Sequence, residues 1–168
     1  MAGLDQILRS TAQYIATQYQ DGYWVDIIMC GGRTNKDHPR LSEAGTNGAK
    51  LQQLLWEMGI TDFGLFLEEE SRNTPGNILG AYRLVVKHGL NRYRMVFICD
   101  SYRRLKVAVM ARYPIAKVFG PPFYGTYEVV SFPRRDIHTQ FAWIKQTMAA
   151  VLYWVWPKRF WDEAKIHT

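Results

Sequence analysis

Apolar positions recur at helical spacing through Leu4, Ile7, Leu8, Ile15 and Tyr19, which predicts an amphipathic helix over 4–20, ended by Asp21-Gly22. A branched, apolar run at 24–30, closed by Gly31-Gly32, has the character of a buried strand. A polar loop at 33–41 leads to a second helix from Ser42, with Leu51, Leu54, Leu55 and Met58 along one stripe. Gly59 is placed to end this helix in a Schellman turn, with Ile60 packing back. Gly45 and Gly48 weaken its first turns, each by up to about 1 kcal/mol relative to alanine. The backbone there is therefore expected to approach a neighbouring strand or a ligand closely.

The alternation continues. A strand is expected at 63–67, then a helix carrying Ile78, Tyr82, Val85 and Val86 that stops at Gly89. Thr74-Pro75 marks its start: threonine is a good N-cap, proline suits the first helical position, and the residue before proline favours extended backbone. A strand at 94–99 follows. Asp100-Ser101 signals the cap of a helix with Leu105, Ala108 and Val109, which stops before Pro114. A short strand is expected at 116–119, ended by Gly120-Pro121-Pro122, and a further edge strand at 127–132. Asp136 is placed to cap a last helix with Phe141, Ile144, Met148, Val151, Leu152 and Val155 on one face. Strands alternating with helices predict an α/β fold: a three-layer, Rossmann-like, mostly parallel sheet flanked by helices. One domain is expected over 1–168, with 136–168 as a C-terminal helical extension.

Composition narrows this picture. Hydrophobic residues make up 48% of 168, which argues for a globular chain with a real core and against disorder. Lys and Arg total 21 against 15 Asp and Glu, a formal charge of +6 that favours anionic partners. The arginines are scattered from Arg9 to Arg159, with Arg33 among them, rather than gathered, which argues against nucleic acid. Cys30 and Cys99 each end an apolar run, as reduced core cysteines of a cytoplasmic protein would. Residues 1–20 lack the continuous apolar core of a signal peptide, and no run is long enough to span a bilayer.

In an open parallel sheet, ligands bind beyond the carboxyl ends of the strands. Three polar segments are expected there: 31–43, 68–77 and 100–104. In the first, Gly31 and Gly32 allow backbone N–H groups to approach an anion, with Arg33, Lys36, His38 and Arg40 nearby in sequence. Ser42 and Glu43 stand at a helix start, where they either cap it or touch a ligand; a carboxylate there gains about 0.3–1 kcal/mol from the helix dipole. In the second, three adjacent acids repel, so at least one of Glu68, Glu69 and Glu70 must turn toward solvent or a cation. Ser71, Asn73, Thr74 and Asn77 surround the next helix start, and the asparagines either lock the loop or contact a ligand. In the third, Asp100 and Ser101 stand at a helix start as candidate ligand contacts, and Arg103 and Arg104 either hold a phosphate or form a solvated face. His38, His88, His138 and His167 are far apart and no Cys-x-x-Cys occurs, so no metal set is expected. The Gly-Gly run lacks the P-loop lysine spacing, and no G-x-S-x-G elbow is present.

The pattern Glu68-x-x-Ser71-x-Asn73-Thr74-x-x-Asn77 resembles the central motif of the YdcF/SanA/ElyC-like family, a domain of unknown function. Gly31-Gly32 followed by Ser42-Glu43-Ala44 is similar to the family's second motif, and the resemblance covers roughly 26–119. It implies a Rossmann-like fold whose first strand and glycine turn would precede the helix at 4–20 and are absent from this sequence. Many members also carry an N-terminal membrane anchor, which this sequence does not show. The resemblance further implies a small anionic ligand, nucleotide-like or phosphate-bearing, with S-adenosylmethionine as one candidate, and envelope biogenesis as the setting. Glu68 falls on the motif, and with Glu43 it is the candidate for polar or acid–base contacts. Gly76 stands where members often carry an acid, Arg103 in place of a common histidine, and Lys106 in place of an arginine. The alternative is a non-catalytic regulatory or membrane-associated module. Trp143, Tyr153, Trp154, Trp156, Phe160 and Trp161, beside Lys158 and Arg159, would serve a helix packed on the sheet, a peripheral membrane contact or a homodimer.

Overall fold

The computed structural model describes residues 2–23, 25–31, 42–71, 73–90, 94–112, 127–133 and 139–159. Trp24, Gly32, the loop at 33–41, the strand expected at 116–119, the Asp136 cap, Phe160 and Trp161 lie outside them, as does the side chain of Glu43. The elements run α1 (Ala2–Gln20), β1 (Asp26–Cys30), α2 (Glu43–Glu57), β2 (Gly64–Glu68), α3 (Thr74–Lys87) and β3 (Met95–Asp100). A single 3₁₀ turn (Ser101–Arg103), α4 (Arg104–Met110), β4 (Tyr127–Phe132) and α5 (Thr139–Val155) follow.

One core forms where α1 and α2 meet the first strands. Leu8, Ala12, Ile15 and Ala16, spaced one and two turns apart, bury against Ile27, Leu51, Leu55 and Ile60. Each fully buried leucine here contributes about 1.5–3 kcal/mol. The Lys50–Asp5 ion pair also bridges α1 and α2, but it is half exposed and adds little. Gly59 takes φ +78°, and Ile60 N–H reaches back to the Leu55 carbonyl at 2.9 Å, which is the expected Schellman ending. Gly89 repeats it at the end of α3, with φ +68° and Leu90 N–H on the Val85 carbonyl at 2.8 Å.

Both strand pairs are parallel. β1 and β2 align Asp26 with Gly64 and Cys30 with Glu68, while β3 and β4 align Met95 with Tyr127 and Asp100 with Phe132. A parallel pair needs a crossover, and α2 supplies it between β1 and β2. The chain is therefore mixed α/β. The described strands form two separate two-stranded sheets rather than the single continuous sheet that the alternation predicted. The 127–132 segment is confirmed as a strand, paired with β3.

A second core lies around β3 and β4. Ile78 and Tyr82 of α3 join Val107 and Met110 of α4 and Ala150 and Tyr153 of α5, over Phe97 and Val129. Tyr82 is fully buried, and its hydroxyl donates to the Ala111 carbonyl at 2.9 Å. Its ring lies 5.8 Å from that of Phe97, within the range of a favourable aromatic pair. α3 also packs against β1 and β2 and so joins the two halves, and α1 makes a smaller contact with β4.

Two expectations about helix starts are corrected. α3 is capped by Asn73, not Thr74: the Asn73 amide oxygen accepts from Gly76 N–H at 2.8 Å, and Thr74 becomes the first helical residue. Asparagine outranks threonine as a cap, and Gly76 leaves room for it: a Cβ there would sit 3.0 Å from both Asn73 Oδ1 and Ser71 Oγ. Asp100 makes no side-chain cap; it pairs instead with Arg103 at 3.6 Å, one turn on.

Candidate functional site

The end of β2 and the start of α3 enclose a carboxylate. Glu68 is the last residue of β2, one position further than the apolar pattern placed the strand, and the Gly31 N–H bond to its carbonyl at 3.0 Å extends the ladder. The residue is only 6% exposed. Oε1 accepts from Glu70 N–H at 3.2 Å, Ser71 N–H at 3.1 Å and the Ser71 hydroxyl at 2.9 Å. A carboxylate that gathers its own following loop in this way fixes the turn between strand and helix. Glu69 and Glu70 take the exposed positions, so the mutual repulsion of the three acids is relieved by those two and not by Glu68.

The roof over Glu68 is α3, and its glycines make the approach possible. A Cβ on Gly80 would lie 2.5 Å from Glu68 Cγ and 2.7 Å from its carboxyl carbon. Gly76, one turn earlier, takes Ser71 in the same manner. Asn77 stands between them, three residues before Gly80 and so on the neighbouring strip of helix. Glu68 Oε2 and Asn77 Oδ1 are both buried without a hydrogen-bond partner. Two buried acceptors, one at the end of β2 and one in the first turns of α3, thus lack a donor, a condition that costs about 1–3 kcal/mol for each buried group.

Directly across the ladder stands Cys30. Burial, and then the Glu68 carboxylate, push its thiol up to about 12. Cys99 is also pushed up to about 12, by burial first and Asp100 second, against a partial lowering by Arg103 and Arg104. Both cysteines are free.

At α2 the structure shows the capping role for Ser42. Ser42 is its N-cap, accepting from Gly45 N–H at 2.8 Å, and its hydroxyl donates to the Glu69 carboxylate. The Ala44 N–H bond to the Gly31 carbonyl ties the same helix start to the end of β1. Gly48 is glycine because β2 passes against it: a Cβ would be 3.0 Å from Leu67 and 3.7 Å from Leu65. The Gly31 N–H, which the sequence offered to an anion, is instead engaged by the Glu68 carbonyl, and the Gly45 and Gly76 N–H groups at the two helix starts are engaged by Ser42 and Asn73.

Of the expected site residues, Gly31, Ser42, Glu68, Ser71, Asn73, Thr74 and Asn77 come together where β1 and β2 end. Asp100, Ser101 and Arg103 instead belong to the other strand pair, where α5 packs against the Ser101–Arg103 turn. Arg103 is spent on Asp100 and on the Tyr102 ring, 5.3 Å from its guanidinium carbon. Lys106 Nζ lies 5.8 Å from the Tyr153 ring. The roles of Glu69 as the partner of Ser42 and of Gly80 as the seat of Glu68 were missed; the i, i+4 spacing of Gly76 and Gly80 was the available signal. Among the described residues no group of three or more His, Cys, Asp or Glu could hold a metal ion. Comparison with known proteins finds no matching family model, no matching curated protein and no matching solved structure.

Proposed function

We propose that this chain binds a small nucleoside-bearing ligand where β1 and β2 end, through groups that donate hydrogen bonds to Glu68 and Asn77. The observation that carries this reading is the buried Glu68 carboxylate with one oxygen satisfied three times and the other not at all. A carboxylate and an amide oxygen want N–H or O–H donors, not phosphate. The ligand's ribose hydroxyls or an amino group meet that demand, and any phosphate would lie away from these two side chains. S-adenosylmethionine, with both a ribose and an ammonium, fits this chemistry among the nucleotide-like candidates. The wider frame of the proposal is a three-layer, Rossmann-like domain of the YdcF/SanA/ElyC-like type, acting in envelope biogenesis. It is supported by the parallel strand pairs and by the gathering of Glu68, Ser71, Asn73 and Asn77 at one strand end.

The test is thermal unfolding with S-adenosylmethionine, adenosine or adenosine monophosphate. A ligand at a hundred times its dissociation constant adds about 2.7 kcal/mol of stability. For a chain of this length that is a rise of about 5–10 °C in Tm. Glu68→Gln replaces the unpaired acceptor with an NH₂ while keeping an oxygen for the three loop donors. It is expected to hold the Tm of the free protein and to lose the ligand shift. No shift with any of the three compounds at millimolar concentration rejects the proposal, as does an undiminished shift in Glu68→Gln.

A further inference from the structure

Helix α5 packs on the second core through Ala150 and Tyr153, yet its opposite side is apolar as well. Phe141, Ile144, Met148, Val151 and Val155 recur at alternating spacings of three and four, one continuous stripe along the helix. Phe141 is 81% exposed, Met148 63% and Val155 75%. Trp143, Trp154 and Trp156, each more than half exposed, widen the face. A helix apolar all round is normally covered on every side. A contiguous exposed patch of such residues marks an interaction surface.

Charge selects the occupant. Between Asp136 and Asp162 the sequence holds no carboxylate, while Lys145, Lys158 and Arg159 fall inside that stretch. Lys145 stands four residues after Phe141 and three before Met148, at the edge of the stripe, and it is exposed. The Arg112 guanidinium carbon lies 4.7 Å from the Trp154 ring, which places a further cation on the opposite flank. A second copy of α5 laid on this face would bring cations to cations with no acid to answer them. An anionic lipid surface answers both features, since apolar side chains enter the acyl boundary, tryptophans sit at headgroup level and basic residues meet lipid phosphates. Among the described residues no helix is long and apolar enough to cross a membrane, so the helix would lie in the interface and not span it.

We infer that α5 is a peripheral docking helix for anionic bilayers, seated by the Phe141–Val155 stripe and held by Lys145, Arg112 and Lys158. The test is flotation of the full chain with vesicles of phosphatidylcholine alone or with one quarter phosphatidylserine, beside sedimentation velocity without lipid. The expected result is binding at least about tenfold tighter to the anionic vesicles, weakened about tenfold by 0.5 M salt. Ile144→Ser with Val151→Ser changes two exposed positions, so the fold, checked by circular dichroism, should persist while binding is lost. Lys145→Glu should remove the anionic preference. The inference is overturned by absent vesicle binding, by equal binding to both vesicles, or by a dimer that the serine variant splits while vesicle binding is unchanged.

Discussion

At the scale of single residues, the clearest physical signature is a pair of thiols that resist ionisation. Cys30 is pushed from about 9 to about 12 by burial and then by Glu68, and Cys99 rises as far. An acid whose pKa is raised by folding holds its proton in the native state and releases it on unfolding. The associated stability is complete below about pH 9 and is lost as pH climbs toward 12. The urea midpoint should therefore be flat from pH 7 to 8.5 and fall by pH 10.5. The raised values leave far less thiolate at pH 8 in the folded protein than in the unfolded chain. Reaction with a disulfide reagent should be slower by at least about tenfold in the folded protein than in urea, and equal rates would show that the thiols are not held as described. Glu68 shows what a sequence can and cannot say at this scale. Its place in a polar motif after an apolar run pointed to a special carboxylate. Its burial was not legible, because three consecutive acids look alike in one dimension. Only the returning loop, with Ser71 donating twice, distinguishes the first from the other two.

Elements were more legible than their joints. Periodicity placed α1, α2, α3 and α5 and all four described strands close to where they lie, because each carries a clear stripe or a short branched run. The joints were missed where two residues compete for one role, as with Asn73 and Thr74, or where a partner is distant in sequence, as with Gly80 and Glu68. How β1–β2 and β3–β4 would be arranged was not legible either, since alternation implies parallel neighbours but not how many share a sheet. The Gly80–Glu68 joint makes a test of whether α3 is seated on the carboxylate. In an ordinary helix Gly→Ala stabilises by about 1 kcal/mol. Here the new methyl overlaps Glu68 Cγ and its carboxyl carbon, both held by the loop bonds, so Gly80→Ala should destabilise by about 1–3 kcal/mol. In a Glu68→Ala background that space is vacated, and the same change should become neutral or stabilising. A double-mutant cycle in urea should give a coupling of at least about 1 kcal/mol; a zero coupling would mean that strand end and helix do not meet there.

For the whole molecule the question is whether two strand pairs and two cores behave as one unit. The first core belongs to α1, α2, β1 and β2 and the second to α4, α5, β3 and β4, while α3 contributes Ile78 and Tyr82 to the second and also packs against β1 and β2. Ile78 and Tyr82 commit α3 to the second core, while Gly76 and Gly80 commit it to the end of β2. If the first half opened alone, α3 would keep Tyr82 and its bond to Ala111 but lose its seat on Glu68 and on β1. The side of α3 turned to those strands would then be left to water. Neither surface ion pair adds to this tie, since Lys50–Asp5 lies within the first half and Arg94–Glu128 within the second. Leu55, fully buried in the first core, and Met110, fully buried in the second, provide the probes. Leu55→Ala and Met110→Ala should each cost about 2–5 kcal/mol. With α3 as the link, either change should lower amide protection in β1 and in β3 by the same factor in native-state hydrogen exchange. Leu55→Ala that lowers protection only in α1, β1, α2 and β2 would show two independently opening halves, and α3 would then be a bridge that carries no cooperativity.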